Sequence, residues 1–198
     1  MTTFTKQSII ANIIDVEGGY TNNPNDAGGE TNYGITRAVA ISYLSQLKAQ
    51  FGWDGNMRNL TKPMATWLYQ KLYWDKLSLD GVFALSPAVA DKLMDIGVNC
   101  GVGRAGQWFQ VALNALNNQA TLYKDIAEDG AVGQGTVNAF AALIKGRGAS
   151  GAVKAMLAAL LCQQGNYYIN ISRTRQANET FVFGWLMNRI VGSAERYE

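Results

Sequence analysis

The sequence predicts a mainly α-helical protein with at most a small β-hairpin near residues 20–35. Three observations carry that expectation. Apolar residues recur three and four positions apart along most of the chain, the spacing of a helix with one buried face. No run alternates apolar and polar residues over the length of an ordinary strand. Hydrophobic residues make up 48% of the 198 positions and charged residues only 16%, so a sizeable core is available and disorder is not expected. There are no internal repeats and no low-complexity tracts, and the length suits one domain or one domain with a small appendage.

The first helix is read from about Lys6 to Glu17, where Ile9, Ile10, Ile13 and Ile14 mark the buried face. Glu17 falls seven, four and three residues after Ile10, Ile13 and Ile14, which puts an acid on that same face. Gly18 and Gly19 then end the helix by offering positive φ. Apolar neighbours and the negative end of the helix dipole both disfavour a carboxylate, so a raised pKa is expected there. A carboxylic acid that keeps its proton near neutral pH is what protonation of a leaving oxygen requires. The plainer alternative is an exposed glutamate in a fraying last turn.

After a glycine-rich polar run, Thr36 is placed to cap a helix through Ala40, Ile41, Leu44, Leu47 and Phe51. Residues 52–56 read as a turn, and Thr61 and Pro63 open a helix leading toward Tyr73, Trp74 and Asp75. Trp53, Trp67, Tyr73 and Trp74 suit either sugar-stacking platforms or the core. Ser86 and Pro87 start the next helix, and within it Asn99 lies one turn beyond Asp95. This pair has two readings, contact with a ligand or satisfaction of buried backbone groups. From Arg104 a helix runs through Trp108, Phe109, Leu113 and Leu116. A turn at 129–136 precedes a short helix, residues 146–151 form a flexible joint, and a long helix follows from about Val153 to Ile171.

The chain has no histidine at all. That excludes serine–histidine and cysteine–histidine nucleophilic catalysis and any histidine-ligated zinc centre, and leaves carboxylate chemistry, for which no cofactor is expected. Cys100 and Cys162 are expected to be two buried thiols, although pairing after export stays open. A net charge of +2 is too small to suggest nucleic acid as a partner. No stretch reaches the length of a membrane span, and residues 1–6 do not look like an export signal.

Three motifs carry a family resemblance: Glu17-Gly18-Gly19-Tyr20, then Asn25-Asp26-Ala27-Gly28-Gly29, then Thr31-Asn32-Tyr33-Gly34-Ile35-Thr36. Their order and spacing resemble the signature of glycoside hydrolase family 108, phage and prophage N-acetylmuramidases that cut peptidoglycan. Ala27 replaces the proline usual there. Further along, Tyr73-Trp74-Asp75, the run from Asp95 to Arg104 and the run from Phe181 to Arg189 are similar to the family as well. The segment Asp129 to Thr136 resembles the start of a peptidoglycan-binding region, with Gln134 in place of a proline. The resemblance covers nearly the whole chain. It implies a lysozyme-like fold, with a catalytic region at 1–100 and a helical peptidoglycan-binding region at 101–198.

The resemblance implies Glu17 as the catalytic acid for cleavage of the β-1,4 bond between N-acetylmuramic acid and N-acetylglucosamine. Asp26, nine residues on, is similar in spacing to the second carboxylate of the T-even phage lysozymes. Those enzymes have a threonine six residues after the aspartate, where this chain has Asn32, so Asn32 or Thr36 is the candidate to hold water. Asp26 can equally be a turn residue before the glycines. Tyr20, Tyr33, Asp95 and Asn99 complete the expected substrate contacts. The expected partner is the peptidoglycan glycan strand, met by a monomer without membrane insertion. Synthesis in a bacterial cytoplasm and passage to the wall through a holin-type pore or another export route are expected. Two rival readings remain: a lytic transglycosylase on the same substrate, and a non-catalytic wall-binding or secretion accessory protein.

Overall fold

The computed structural model describes residues 4–22 and 29–197, with side chains for all of these except Val16 and Glu17. The chain forms two compact units, Thr5–Leu72 and Tyr73–Glu198 together with Met1–Phe4. Helices build both, and the sheet found among the described residues is one two-stranded hairpin.

In the Thr5–Leu72 unit, α1 (Lys6–Glu17) starts with a reciprocal cap. The Ser8 amide donates to Thr5 Oγ1 at 3.0 Å and the Thr5 amide to Ser8 Oγ at 2.9 Å, which satisfies two amides that a helix start leaves orphaned. Its apolar face buries Ile9, Ile10 and Ile14, and α1 packs against α4 (Lys62–Tyr69). Gly18, at φ 77°, ends α1 where the two glycines predict an end. The hairpin pairs β1 (Thr31–Asn32) with β2 (Ile35–Thr36), Thr31 opposite Thr36 and Asn32 opposite Ile35. Its two turn residues, Tyr33 at φ 52° and Gly34 at φ 72°, are both left-handed, the backbone that matches the strands' natural twist.

Beyond the hairpin there are two helices, not the single one the apolar spacing predicts. Thr36 caps α2 (Arg37–Ser42), and α3 (Leu44–Phe51) begins after a break at Tyr43. The Tyr43 ring meets Trp67 edge-on at 5.8 Å, and Phe51 meets Trp67 at 6.4 Å, so aromatic packing holds the bend. Of the four aromatics considered as sugar platforms, Trp53 and Trp74 are buried. Their indole N–H groups donate to the Asn56 carbonyl and to Asp80 respectively, which makes them core residues with a satisfied polar edge.

The second unit is built on α6 (Pro87–Cys100), which packs against α5 (Leu79–Leu85), α7 (Val102–Leu116) and α9 (Ala149–Thr174). Helix α5 was not expected from the sequence; Ser78, at φ 49°, turns the chain into it. Helix α8 (Gln134–Arg147) is fourteen residues, longer than the short helix expected. The joint expected over 146–151 is a single break at Gly148, φ 80°, from which the 26-residue α9 runs ~39 Å. The chain ends in α10 (Glu179–Trp185), a π-helical stretch (Leu186–Val191) and α11 (Gly192–Tyr197). Cys100 is buried as expected, but Cys162 is exposed, because its position on α9 falls away from the packed face.

One face of α7 carries no large apolar side chain at Gly103, Gly106, Gln110, Asn114 and Asn117, and the loop at 117–133 lies on it. A Cβ added at Gly106 would stand 2.1 Å from the Gly130 carbonyl oxygen, so the loop backbone rests directly on the helix. The three amides bind that backbone from both sides. Gln110 accepts from the Gly130 amide at 2.7 Å and donates to the Ala131 carbonyl. Asn114 brackets Ile126, accepting from its amide at 3.0 Å and donating to its carbonyl at 2.9 Å. Asn117 does the same to Tyr123, at 3.1 and 2.7 Å. Backbone groups buried by the loop thus find partners that no regular element supplies.

Gly106→Ala is therefore expected to destabilise the protein by about 1–3 kcal/mol, the usual cost of overpacking. Gly103→Ala, whose added Cβ meets nothing within 4 Å, should be neutral or mildly stabilising. Urea unfolding midpoints of the two variants provide the comparison.

Candidate active site

The described residues of the motif region converge at the neck of the loop that follows α1. Thr21 and Thr31 pair through two backbone hydrogen bonds of 2.9 Å, and their hydroxyls lie 2.7 Å apart. One residue earlier on each side, the Tyr20 hydroxyl donates to Glu30 Oε1 at 2.9 Å. The other Glu30 oxygen lies 3.4 Å from Arg37 Nε, and the Arg58 guanidinium covers the Tyr20 ring at 4.2 Å. The hydrogen bond to Glu30, followed by desolvation, pushes the Tyr20 phenol above its ordinary range, so it serves as a donor at neutral pH. These contacts fix the chain just after Gly18 and Gly19, three residues beyond Glu17. Asp26 and the side chain of Glu17 lie outside the described residues.

Hydrogen bonds tie the hairpin to the rest of its unit. Asn32 is 4% exposed. Its amide donates to the carbonyls of Met57 at 2.7 Å and Leu60 at 3.2 Å, tying the hairpin to the turn at Met57–Asn59. The Tyr33 carbonyl accepts from the Tyr69 hydroxyl at 3.2 Å. Thr36 Oγ1 accepts from the Val39 amide at 3.4 Å as the cap of α2. Tyr20, Asn32, Tyr33 and Thr36 are thus brought together on one hairpin and its neck.

Asp95 and Asn99 belong to the other unit and are brought to each other. Asn99 donates to Asp95 Oδ1 at 3.1 Å and to its carbonyl at 2.8 Å. Asp95 also accepts from Arg189 at 2.6 Å, from Gln164 at 3.1 Å and from Lys92 at 3.1 Å. Lys92 is 0% exposed, and its ammonium donates as well to the Arg189 carbonyl at 2.8 Å and to Ser193 Oγ at 3.2 Å. Three protons meet three acceptors. Burial pulls the Lys92 pKa down while the Asp95 charge opposes that pull. Next to it, burial raises the Asp91 carboxyl, against the hydrogen bond from Tyr197 and the charge of Arg196. A folded-state pKa above the unfolded one means the native form holds that proton more tightly, so Asp91 favours folding as pH falls through its raised value.

Sequence reasoning missed Glu30, Arg37 and Arg58 at the loop neck and Lys92 and Arg189 around Asp95. A signal existed for Lys92: it stands among the apolar residues of α6 and three residues before Asp95, a spacing that lets the two pair. Glu30 has no comparable local mark. Among the described residues no group of carboxylates and thiols is arranged to hold a metal, and no helix is long and apolar enough to cross a membrane.

Residues 10–101 match the family model described as Glycosyl hydrolase 108, and residues 104–190 the one described as Predicted Peptidoglycan domain. The two matches together define a glycoside hydrolase directed at peptidoglycan. The family expected from the motifs is thus the one whose model matches residues 10–101, with the peptidoglycan domain following. Its helices, with the one small hairpin found among the described residues, form the mainly α, lysozyme-like fold that the motifs imply. The solved structure of Brucella abortus SagA is similar, with 25% identity and a TM-score of 0.61 over 96% of this chain and 92% of that one. No curated protein matches the chain.

The network around Asp95 makes a stability prediction. Asp95→Ala leaves the buried Lys92 ammonium without its counter-charge and should cost about 3–5 kcal/mol in denaturant unfolding. Asn99→Ala, at an exposed position, should cost less than about 1 kcal/mol. An Asp95→Asn variant that kept its stability and lost activity would instead place Asp95 in contact with substrate.

Proposed function

We propose that the protein is an N-acetylmuramidase that hydrolyses the β-1,4 bond between N-acetylmuramic acid and N-acetylglucosamine, with Glu17 as general acid. The observation that carries the reading is the position of Glu17 as the last residue of α1, before the Gly18 turn and the pinned neck at Tyr20–Glu30 and Thr21–Thr31. A glutamate at a helix end followed by a fixed turn has its backbone held in one place, which serves the positioning that proton transfer to a glycosidic oxygen requires. Asp26 supplies the second carboxylate, orienting water and balancing the oxocarbenium-like transition state. Residues 1–100 carry this chemistry and 101–198 hold the enzyme to the wall, a division supported by the family matches to either side of residue 102. The resemblance in its motifs supports a phage or prophage origin.

Glu17→Gln keeps the size of the side chain and removes the proton it gives. It should lower clearing of purified cell wall by roughly 10²–10⁴-fold with folding and wall binding retained. Asp26→Asn should reduce kcat more than binding, and by less than the change at Glu17. Near-normal turnover of the Glu17 variant would remove it from the role of essential acid.

Product analysis tests the reaction itself. Hydrolysis leaves a free reducing N-acetylmuramic acid, and mass spectrometry of digested peptidoglycan should show that end as the main product. A 1,6-anhydro end, lighter by one water, would identify a transglycosylase. The α-anomer as the first product would follow from inversion, the outcome suggested by similarity to the T-even phage enzymes, in which a water fits between well-separated carboxyls.

A further inference from the structure

The second unit carries a cavity of about 360 Å³, open to solvent on one side, where three helix ends meet. Ala115 and Leu116 from the end of α7, Leu143 from α8, and Ala152 and Ala155 from the first turns of α9 give it walls of methyl groups. Arg147, the last residue of α8, is the single ionisable group of the lining. Its Nη2 donates to the Leu116 carbonyl at 3.3 Å, which anchors the guanidinium at the cavity. Among the described residues no carboxylate forms an ion pair with it. A guanidinium has five N–H donors in a planar fork suited to a carboxylate, so most of its capacity faces outward for a partner. The opening turn of α9 borders the same space with its positive end, while the carboxyl ends of α7 and α8 present negative ends there, so the attraction for an anion falls to Arg147.

The chemistry of the walls narrows the ligand. A sugar needs several hydroxyl partners, which alanine and leucine side chains do not supply. A bare phosphate would use Arg147 and gain nothing from the methyl groups. A carboxylate flanked by small apolar groups uses both features. The end of a short peptide that terminates in alanine has this form, and peptidoglycan stem peptides end in such a residue.

We propose that this cavity binds the alanine-terminated stem peptide of peptidoglycan, with Arg147 holding the terminal carboxylate and the methyl-lined walls taking the alanyl side chains. The choice of ligand rests on the reading of peptidoglycan as substrate. The site engages the wall through its peptides, separately from the glycan chemistry assigned to Glu17.

The probe is acetyl-D-alanyl-D-alanine titrated into the full chain and followed by calorimetry and NMR, with the C-terminal amide as control. The free acid should bind saturably, and the amide should bind about tenfold more weakly or worse, since a charge-assisted contact is lost. Arg147→Gln should weaken binding to a similar degree, and Ala155→Phe should remove it by filling the cavity while leaving Arg147 in place. Thermal unfolding of each variant establishes that it is folded, and the two variants act on different features, so failure of one to fold leaves the other as the test. Equal binding of acid and amide, unchanged binding in both variants, or no saturable binding at millimolar peptide would each overturn the proposal. Peptide binding by a protein that does not digest wall would refute the muramidase reading and leave this site standing. Wall digestion without peptide binding would do the reverse.

Discussion

A buried ammonium cannot be left without acceptors, and in the Tyr73–Glu198 unit that requirement organises a large share of the packing. Lys92 lies in the middle of α6 with its side chain fully enclosed, and its three protons are taken by Asp95, the Arg189 carbonyl and Ser193. Two of those acceptors come from the last residues of the chain. The C-terminal segment is therefore held by the need to satisfy a charge as well as by apolar burial. Asp95 in turn gathers Arg189, Gln164 and Asn99, so that α6, α9 and the C-terminal stretch share one polar centre. A centre of this kind tolerates few arrangements, because moving any member strands a charge.

The same accounting explains α7. The loop at 117–133 has little regular structure, and its buried backbone groups need partners from somewhere. Gln110, Asn114 and Asn117 provide both a donor and an acceptor at each step, and Gly106 and Gly130 let the loop approach the helix axis. Hydrogen bonding to the loop thereby replaces side-chain packing on that face. The cavity beside Arg147 lies where α7 ends, next to the turn between α8 and α9.

In the Thr5–Leu72 unit the equivalent constraint is geometric. The chain beyond α1 begins with two glycines, which alone would leave it loose, so it needs a restraint from elsewhere. The paired threonines and the Tyr20–Glu30 hydrogen bond, braced by Arg37 and Arg58, supply that restraint. Asn32, tied to Met57 and Leu60, fixes the hairpin on the same unit, so the region with the densest motif residues is also densely hydrogen-bonded.

Local signals in the sequence determined the helical class, the ends of several helices and the small hairpin. Thr61 and Pro63, Ser86 and Pro87, and the glycines after α1 and α8 act within one turn of where they stand, so reading them needs no knowledge of distant residues. The motif around Glu17 is equally local, and with the absence of histidine it directed attention to carboxylate chemistry. The tertiary structure alone decided the partners. Lys92 meets the Arg189 carbonyl across 97 positions, and Tyr20 finds Glu30 across the loop neck. The break at Tyr43 and the exposure of Cys162 depend likewise on which surfaces pack together. Periodicity marks a face as buried or exposed, but a buried charge or an aromatic edge takes whichever complementary group the packed chain brings within about 3 Å.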